Sequence, residues 1–274
     1  MKRLINQRPG PVSTAALALL PFVVLALVYL LASDARLAEN PNDKLLPSFT
    51  TLAESFVRLT SVPSQRTGEI LLWQDTGASL RRLAQGVGIS AAIGLILGVA
   101  LGAIPLIRSG FAPFVAVLSL IPPMAVLPVL FIVFGLGEVS KVVLIIVGIT
   151  PFIVRDLQQR VQELPRELII KAQTLGANSW QIVLRVILPQ VVPRLIDAVR
   201  LSLGTAWLFL ISAEAIAATE GLGYRIFLVR RYLAMDVILP YVVWITILAY
   251  LTDFLLKQIS RRAFPWYHNG EPGR

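Results

Sequence analysis

The residue types that carry catalytic chemistry are scarce in this chain, and their spacing excludes most of that chemistry. There is no cysteine, so no thiolate nucleophile, thiol–metal site or disulfide is available. The single histidine, His268, stands in the carboxyl-terminal tail, with no hydroxyl and acid arranged for a triad. No pair of carboxylates has a spacing suited to general acid–base work. A phosphate-binding loop needs Gly-Lys followed by Ser or Thr; the lysines are Lys2, Lys44, Lys141, Lys171 and Lys257, and none follows a glycine. The chain reads as a non-enzyme that binds neither a cofactor nor a metal.

A second kind of candidate is polar or strained residues set in apolar sequence, because charges at bilayer depth are costly and mark a pathway or a partner. Arg194, Asp197 and Arg200 follow at three-residue steps on one helix face, as an ion-pair ladder or as a gate. Asp253 has Lys257 four residues on, the spacing of a pair within one helix. Glu214 lies two turns beyond Trp207 and ahead of Gly221-Leu222-Gly223. It either holds that loop by accepting backbone hydrogen bonds or lines a path. Pro122, Pro123 and Pro128 share one apolar stretch, where they unwind a helix beside a cavity or simply kink it for packing.

The elements that must position these residues are membrane helices. Of 274 residues 56% are hydrophobic and 15% charged, and mean hydropathy is +0.73; soluble domains carry about 25% charged residues. Six stretches are long enough to cross about 30 Å of hydrocarbon. They are Thr14–Ala32, Leu80–Ile104, Phe111–Phe134, Val139–Val154, Val191–Ser212 and Val237–Leu256. The first exceeds the apolar core of a signal peptide, and no small-residue cleavage site follows it directly, so it is expected to remain as a span. The fourth is short and carries Pro151 near its end, which predicts a bend or tilt. The fold class is therefore all-α and polytopic, with six transmembrane helices.

Basic residues set the orientation. Lys2, Arg3 and Arg8 precede the first span, Arg155, Arg160, Arg166 and Lys171 follow the fourth, and Lys257, Arg261 and Arg262 close the last. Both termini are thus expected to be cytoplasmic. The net charge of +9 is explained by this bias; nothing in the sequence resembles a nucleic-acid motif. Residues 1–13 form the amino-terminal segment, 14–262 the membrane domain and 263–274 the tail. Within the domain, about 33–79 lie outside and about 155–190 inside. The outer segment holds a turn at Asn40-Pro41-Asn42-Asp43 and a short amphipathic helix near Leu52–Leu59. Arg225, Arg230 and Arg231 alternate with Tyr224, Phe227, Leu228 and Tyr232, as an interfacial helix with arginines outward or as a docking site for a protein on the outer side. Phe264-Pro265-Trp266-Tyr267 reads as an aromatic anchor in membrane lipid.

The inner segment keeps helical period, breaks at Gly176 and returns to the membrane at Leu188-Pro189. This pattern predicts a short helix, a turn and a second helix starting near a proline that sets its angle of return. Such a hairpin presents a knob to a cytosolic partner.

Gly176, nine further residues and then Val186-x-Leu188-Pro189 resemble the Glu-Ala-Ala coupling loop of binding-protein-dependent ABC importer permeases. Other motifs narrow the resemblance to the nitrate/sulfonate/taurine/bicarbonate group: Leu46-Pro47-Ser48, Ser79-Leu80-Arg81-Arg82, Ile121-Pro122-Pro123 with Leu127-Pro128, Phe134-Gly135-Leu136-Gly137-Glu138, and Ala213-Glu214 followed by Gly221-Leu222-Gly223. It spans about Leu46 to Trp266. The Glu-Ala-Ala itself falls on Ile170-Lys171-Ala172, so the acid is missing, and Glu167 is the nearest carboxylate.

The resemblance implies the six-helix fold of a type I importer permease in a bacterial inner membrane. The helix Lys171–Trp180 would seat in a groove of a cytosolic ATPase, with Lys171, Ala172, Thr174, Leu175, Gly176, Ala177, Asn178 and Pro189 forming the coupling element. Glu214 to Gly223 would be a gating element near the outer mouth, with Pro122, Pro123, Pro128, Arg200, Trp207, Glu214, Gly221 and Gly223 as pathway or gate candidates. Implied partners are a second copy of the chain, an ATPase dimer that holds ATP and Mg, and a periplasmic substrate-binding protein. The implied cargo is a small polar solute, a sulfonate, taurine or nitrate-like anion first, although the acids near the spans would suit a guanidinium or urea-like solute. A stand-alone channel, a secondary transporter and a membrane-anchored scaffold are the alternatives.

Overall fold

The computed structural model describes residues 10–41, 43–64 and 68–268. Lys2, Arg3 and Arg8, Asn42 of the turn and the tail past His268 lie outside the described residues. The described chain is helical: α1 Pro11–Glu39, α2 Phe49–Ser61, α3 Leu71–Ala103, α4 Pro105–Leu118, α5 Pro123–Phe134, α6 Glu138–Gln162, α7 Arg166–Thr174, α8 Ser179–Ile182, α9 Leu188–Ala217, α10 Leu222–Arg230, α11 Met235–Ala263 and α12 Pro265–His268. Two compact units result, Met1–Val62 with Val229–Tyr241, and Pro63–Leu228 with Val242–Arg274.

In the smaller unit, α1 exposes Leu17, Leu19, Phe22, Leu25 and Leu31 on all sides. A helix apolar all round is unstable in water and suited to lipid. Tyr29 Oη donates to Pro47 O (2.7 Å) and Ser33 Oγ to Leu46 O (2.9 Å), folding the following loop back on the helix. Arg36 pairs with Asp43, whose carboxyl the guanidinium hydrogen bond holds below its ordinary range. The amphipathic helix expected near Leu52–Leu59 is α2, started by Ser48, whose Oγ accepts from Thr51 N.

The larger unit is built on α3, α6 and α9. Gly86, Ser90, Gly94, Gly98 and Gly102 recur every fourth residue of α3, opening one smooth face. A Cβ at Gly94 would come within 2.5 Å of Ile153 Cγ2, and one at Gly98 within 2.6 Å of Leu157 Cβ. The side chains of α6 therefore lie directly on the α3 backbone. Leu144, Ile145, Ile153 and Leu157 are completely buried as a result, and α6 forms the centre.

Several expected boundaries change. Helix α3 begins nine residues before Leu80, drawing Asp75 and Ser79 into it. The third stretch is not one straight span: α4 and α5 meet at 93°, broken at Pro122-Pro123. Pro128 does not unwind its helix; α5 continues past it, losing one i−4 bond. Pro151 likewise sits inside the unbroken 25-residue α6. Among the described residues, three helices, α3, α11 and residues Val12–Glu39, are individually long and apolar enough to cross a membrane, and two bent pairs qualify when each is joined.

Candidate functional site: a sealed polar cluster and an exposed helical hairpin

Asp75, Ser79 and Arg82 stand at i, i+4 and i+7 on one face of α3, and all three point at the connection from α9 to α10. Three successive N–H groups, at the end of that connection and the start of α10, are each taken by a side chain. Gly221 N donates to Asp75 Oδ1 (2.9 Å), Leu222 N to Ser79 Oγ (3.0 Å) and Gly223 N to Glu214 Oε2 (2.9 Å). Two of the acceptors are acids, which suits the positive end of α10. Gly221 has φ +126°, and a Cβ there would lie 2.6 Å from Glu214 Cδ, so both the turn and the close approach require glycine.

Arg82, 1% exposed, ties three helices together. It donates to Glu138 Oε2 (2.5 Å) and Oε1 (2.8 Å) at the start of α6, to Glu214 Oε1 (2.8 Å) on α9 and to Glu220 O (2.9 Å). Glu214 is fully buried and also accepts from Ser79 Oγ at 2.8 Å. Lys141 adds a 2.8 Å contact to Glu138, and Arg225 donates to Asp75 at 2.8 and 3.2 Å. Each buried charge is thus paired, the condition under which burial is tolerated. Arg225 therefore faces inward, correcting the expectation of outward arginines along α10.

At the other end of α6 lies the hairpin. Helix α7 ends in a Schellman turn: Ala177 N donates to Ala172 O (3.0 Å) and Gly176 N to Gln173 O (2.9 Å), with Gly176 at φ +82°. Space does not demand this glycine, since nothing lies within 4 Å of its would-be Cβ; the backbone conformation does. Asn178 then starts α8 with a capping box, accepting from Gln181 N (2.8 Å) and donating its own N–H to Gln181 Oε1 (2.9 Å). The expected continuous helix Lys171–Trp180 is therefore broken in the middle. The second helix also starts ten residues before Pro189, not beside it. Between α8 and α9 the residues Val183–Ile187 form a π-helical turn in which Leu188 N bonds Val183 O. The extra residue shifts the register ahead of Pro189, which has no N–H to offer.

No residue of α7 is buried. Lys171, Thr174, Gly176 and Asn178 are exposed, Ala172 and Ala177 half-buried, and Leu175 and Trp180 stand out at 87% and 68% exposure. Leu175 and Trp180 are thus uncovered apolar side chains on a turn whose backbone hydrogen bonds close within itself.

The remaining candidates do not join either cluster. Arg200 makes a two-pronged contact with Asp253 (2.8 and 3.1 Å) and lies 3.5 Å from Asp197. Asp253 thus takes Arg200 on α9 rather than Lys257 on its own helix. Asp197 accepts from Tyr267 Oη (2.9 Å), and Arg194 stacks over that ring, so the aromatic tail docks on protein through Tyr267. His268 shares a 3.0 Å hydrogen bond with Ser260 Oγ. Trp207 is buried, with no partner for its indole N–H among the described residues. Sequence reasoning assigned no role to Asp75, Ser79, Arg82 or Glu138; the i, i+4, i+7 polar spacing on an apolar helix was the available signal.

The chain belongs to the family of binding-protein-dependent transport system inner membrane components, whose model matches residues 90–265. It is 35% identical over 209 residues to the taurine transport system permease protein TauC of Escherichia coli (strain K12), covering 76% of each chain. It is 26% identical to the nitrate import permease protein NrtB of Leptolyngbya laminosa, over 89% of this chain and 85% of that one. Among solved structures it is similar to the MetNI methionine ABC transporter in an inward-facing conformation. There the TM-score is 0.62 at 28% identity, over 70% of this chain and 95% of the other.

Proposed function

We propose that the chain is the permease subunit of an ABC importer and works as a homodimer, with both termini cytoplasmic and α6 as the fourth of six spans. The observation that carries this reading is the α7–α8 hairpin, whose Leu175 and Trp180 project from a turn closed by its own hydrogen bonds. One hairpin per chain engages one ATPase, and two ATPases are needed to enclose ATP. Closure of the ATPases pushes the two hairpins together and opens the dimer outward; a periplasmic binding protein then delivers solute, and hydrolysis restores the inward state. ATP and Mg stay on the partner subunits, since no lysine here follows a glycine.

The cargo is a small solute with an anionic head, of the sulfonate, taurine or nitrate-like kind. The membrane acids that pointed to a cation are engaged: Glu214 by Arg82, Asp253 and Asp197 by Arg200. The names of relatives that act on taurine and nitrate support the same class.

Co-purification of the tagged chain from its native membrane in mild detergent tests the assembly. A P-loop ATPase recovered two per two permeases is expected. The chain emerging alone in a stable complex, and moving solute without ATP, overturns the importer reading.

A further inference from the structure

The 93° turn between α4 and α5 leaves a corner unfilled against one face of α6, a half-open cleft of about 420 Å³. Its wall is apolar where Phe152 and Phe209 face it. The bare Gly148 lets the Phe209 ring lie on the α6 backbone. Its other end is polar, formed by Ser119, Arg155, Asp156 and Gln159. Arg155 donates to Ser119 Oγ at 2.7 Å, and no carboxylate lies within ion-pairing distance of it among the described residues. This contrasts with Arg82, Arg200 and Arg225, each of which is paired. A guanidinium with free N–H groups at the mouth of an apolar pocket is a receptor for an oxyanion. Asp156, the next residue of α6, repels a plain anion. It forms a loose ion pair with Arg160 at 3.7 Å, beyond hydrogen-bonding distance, which leaves its oxygens able to accept.

We propose that this cleft is a substrate station for a small zwitterionic sulfonate, with the anionic head on Arg155 and Ser119, the ammonium beside Asp156, and the carbon stem against Phe152 and Phe209. The station deepens and rests on the importer reading above. It also means that the permease discriminates in its own right: an alkylsulfonate lacking the amino group leaves Asp156 facing an anion, and nitrate in addition leaves the apolar wall uncovered.

The absence of cysteine makes the cleft directly testable. In the purified permease–ATPase complex, Gln159→Cys supplies the chain's sole thiol, and its rate of labelling by a sulfonatoethyl thiosulfonate reagent reports occupancy. In nanodiscs of phosphatidylglycerol alone, 2-aminoethanesulfonate is expected to slow labelling at a concentration about tenfold below that needed with ethanesulfonate. Adding Arg155→Gln raises the protecting concentration of both about 10- to 100-fold, the loss of a charge-assisted hydrogen bond. Adding Asp156→Asn removes the preference between them and leaves the protection by ethanesulfonate. Equal protection by the two sulfonates, or none by either, in a complex that still hydrolyses ATP overturns the station and leaves the importer reading standing. Failure to recover any ATPase overturns that reading itself. An aminoethyl phosphate headgroup shares this chemistry. Labelling that slows on adding phosphatidylethanolamine to the discs, and then ignores 2-aminoethanesulfonate, identifies a lipid site and overturns the proposal.

Discussion

The two ends of α6 solve opposite problems. At its beginning, Glu138 enters a cluster in which Arg82, Glu214, Asp75 and Arg225 are mutually paired and largely hidden. Beyond its end, α7 and α8 satisfy their backbone locally and leave Leu175 and Trp180 uncovered. The cluster draws its partners from elements up to 150 residues apart, as in the Arg225–Asp75 contact, so it can fix helices to one another. The hairpin's caps, by contrast, are made by residues close in sequence, Gly176 and Ala177 with Ala172 and Gln173, and Asn178 with Gln181.

Breaking this contrast is expected to cost most at the cluster. Arg82→Met strands Glu214 without its cation, and should lower stability by about 3–5 kcal/mol; thermal unfolding in detergent measures it. Adding Glu214→Leu should recover much of that loss, because an unpaired buried charge is the main penalty. A single variant no worse than a surface substitution would remove the cluster from the structural core. Gly98→Leu, which drives a side chain into Leu157, should destabilise by about 1–3 kcal/mol in the same assay.

At the hairpin, stability and function should separate. Gly176→Val places a β-branched residue at positive φ, costing about 1–2 kcal/mol, and should abolish retention of the ATPase on affinity resin. Gly176→Asn tolerates that conformation and should keep most of it. Leu175→Ser should change folding by no more than about 0.5 kcal/mol yet weaken ATPase capture about tenfold. If Leu175→Ser and Arg82→Met lowered stability alike, the contrast between the ends would be gone.

The cleft, the cluster and the hairpin were legible to different degrees. The hairpin was readable because its determinants are neighbours: Gly176 needs only its own backbone angle, and Asn178 needs only Gln181. Its halves were still misdrawn, because periodicity ran through Leu175 and the π-helical turn before Pro189 has no marker in residue type. The proline pair at 122–123 announced a break but not a 93° corner, and the cleft follows from that angle. Glu214 stood out as an acid in apolar sequence, whereas Arg82 was simply one member of a motif.

Composition alone required a membrane protein, since 15% charged residues cannot cover a soluble surface of this size. Local sequence alone determined the helix break at Gly176, where only the backbone angle calls for glycine, whereas the turn at Gly221 is also held by Asp75, Ser79 and Glu214 from other elements. Tertiary structure decided which charges meet. The choice of Arg200 over Lys257 for Asp253, and of Asp75 for Arg225, depends on how separate helices approach, and the small-residue face of α3 brings α6 close enough for that choice to be made.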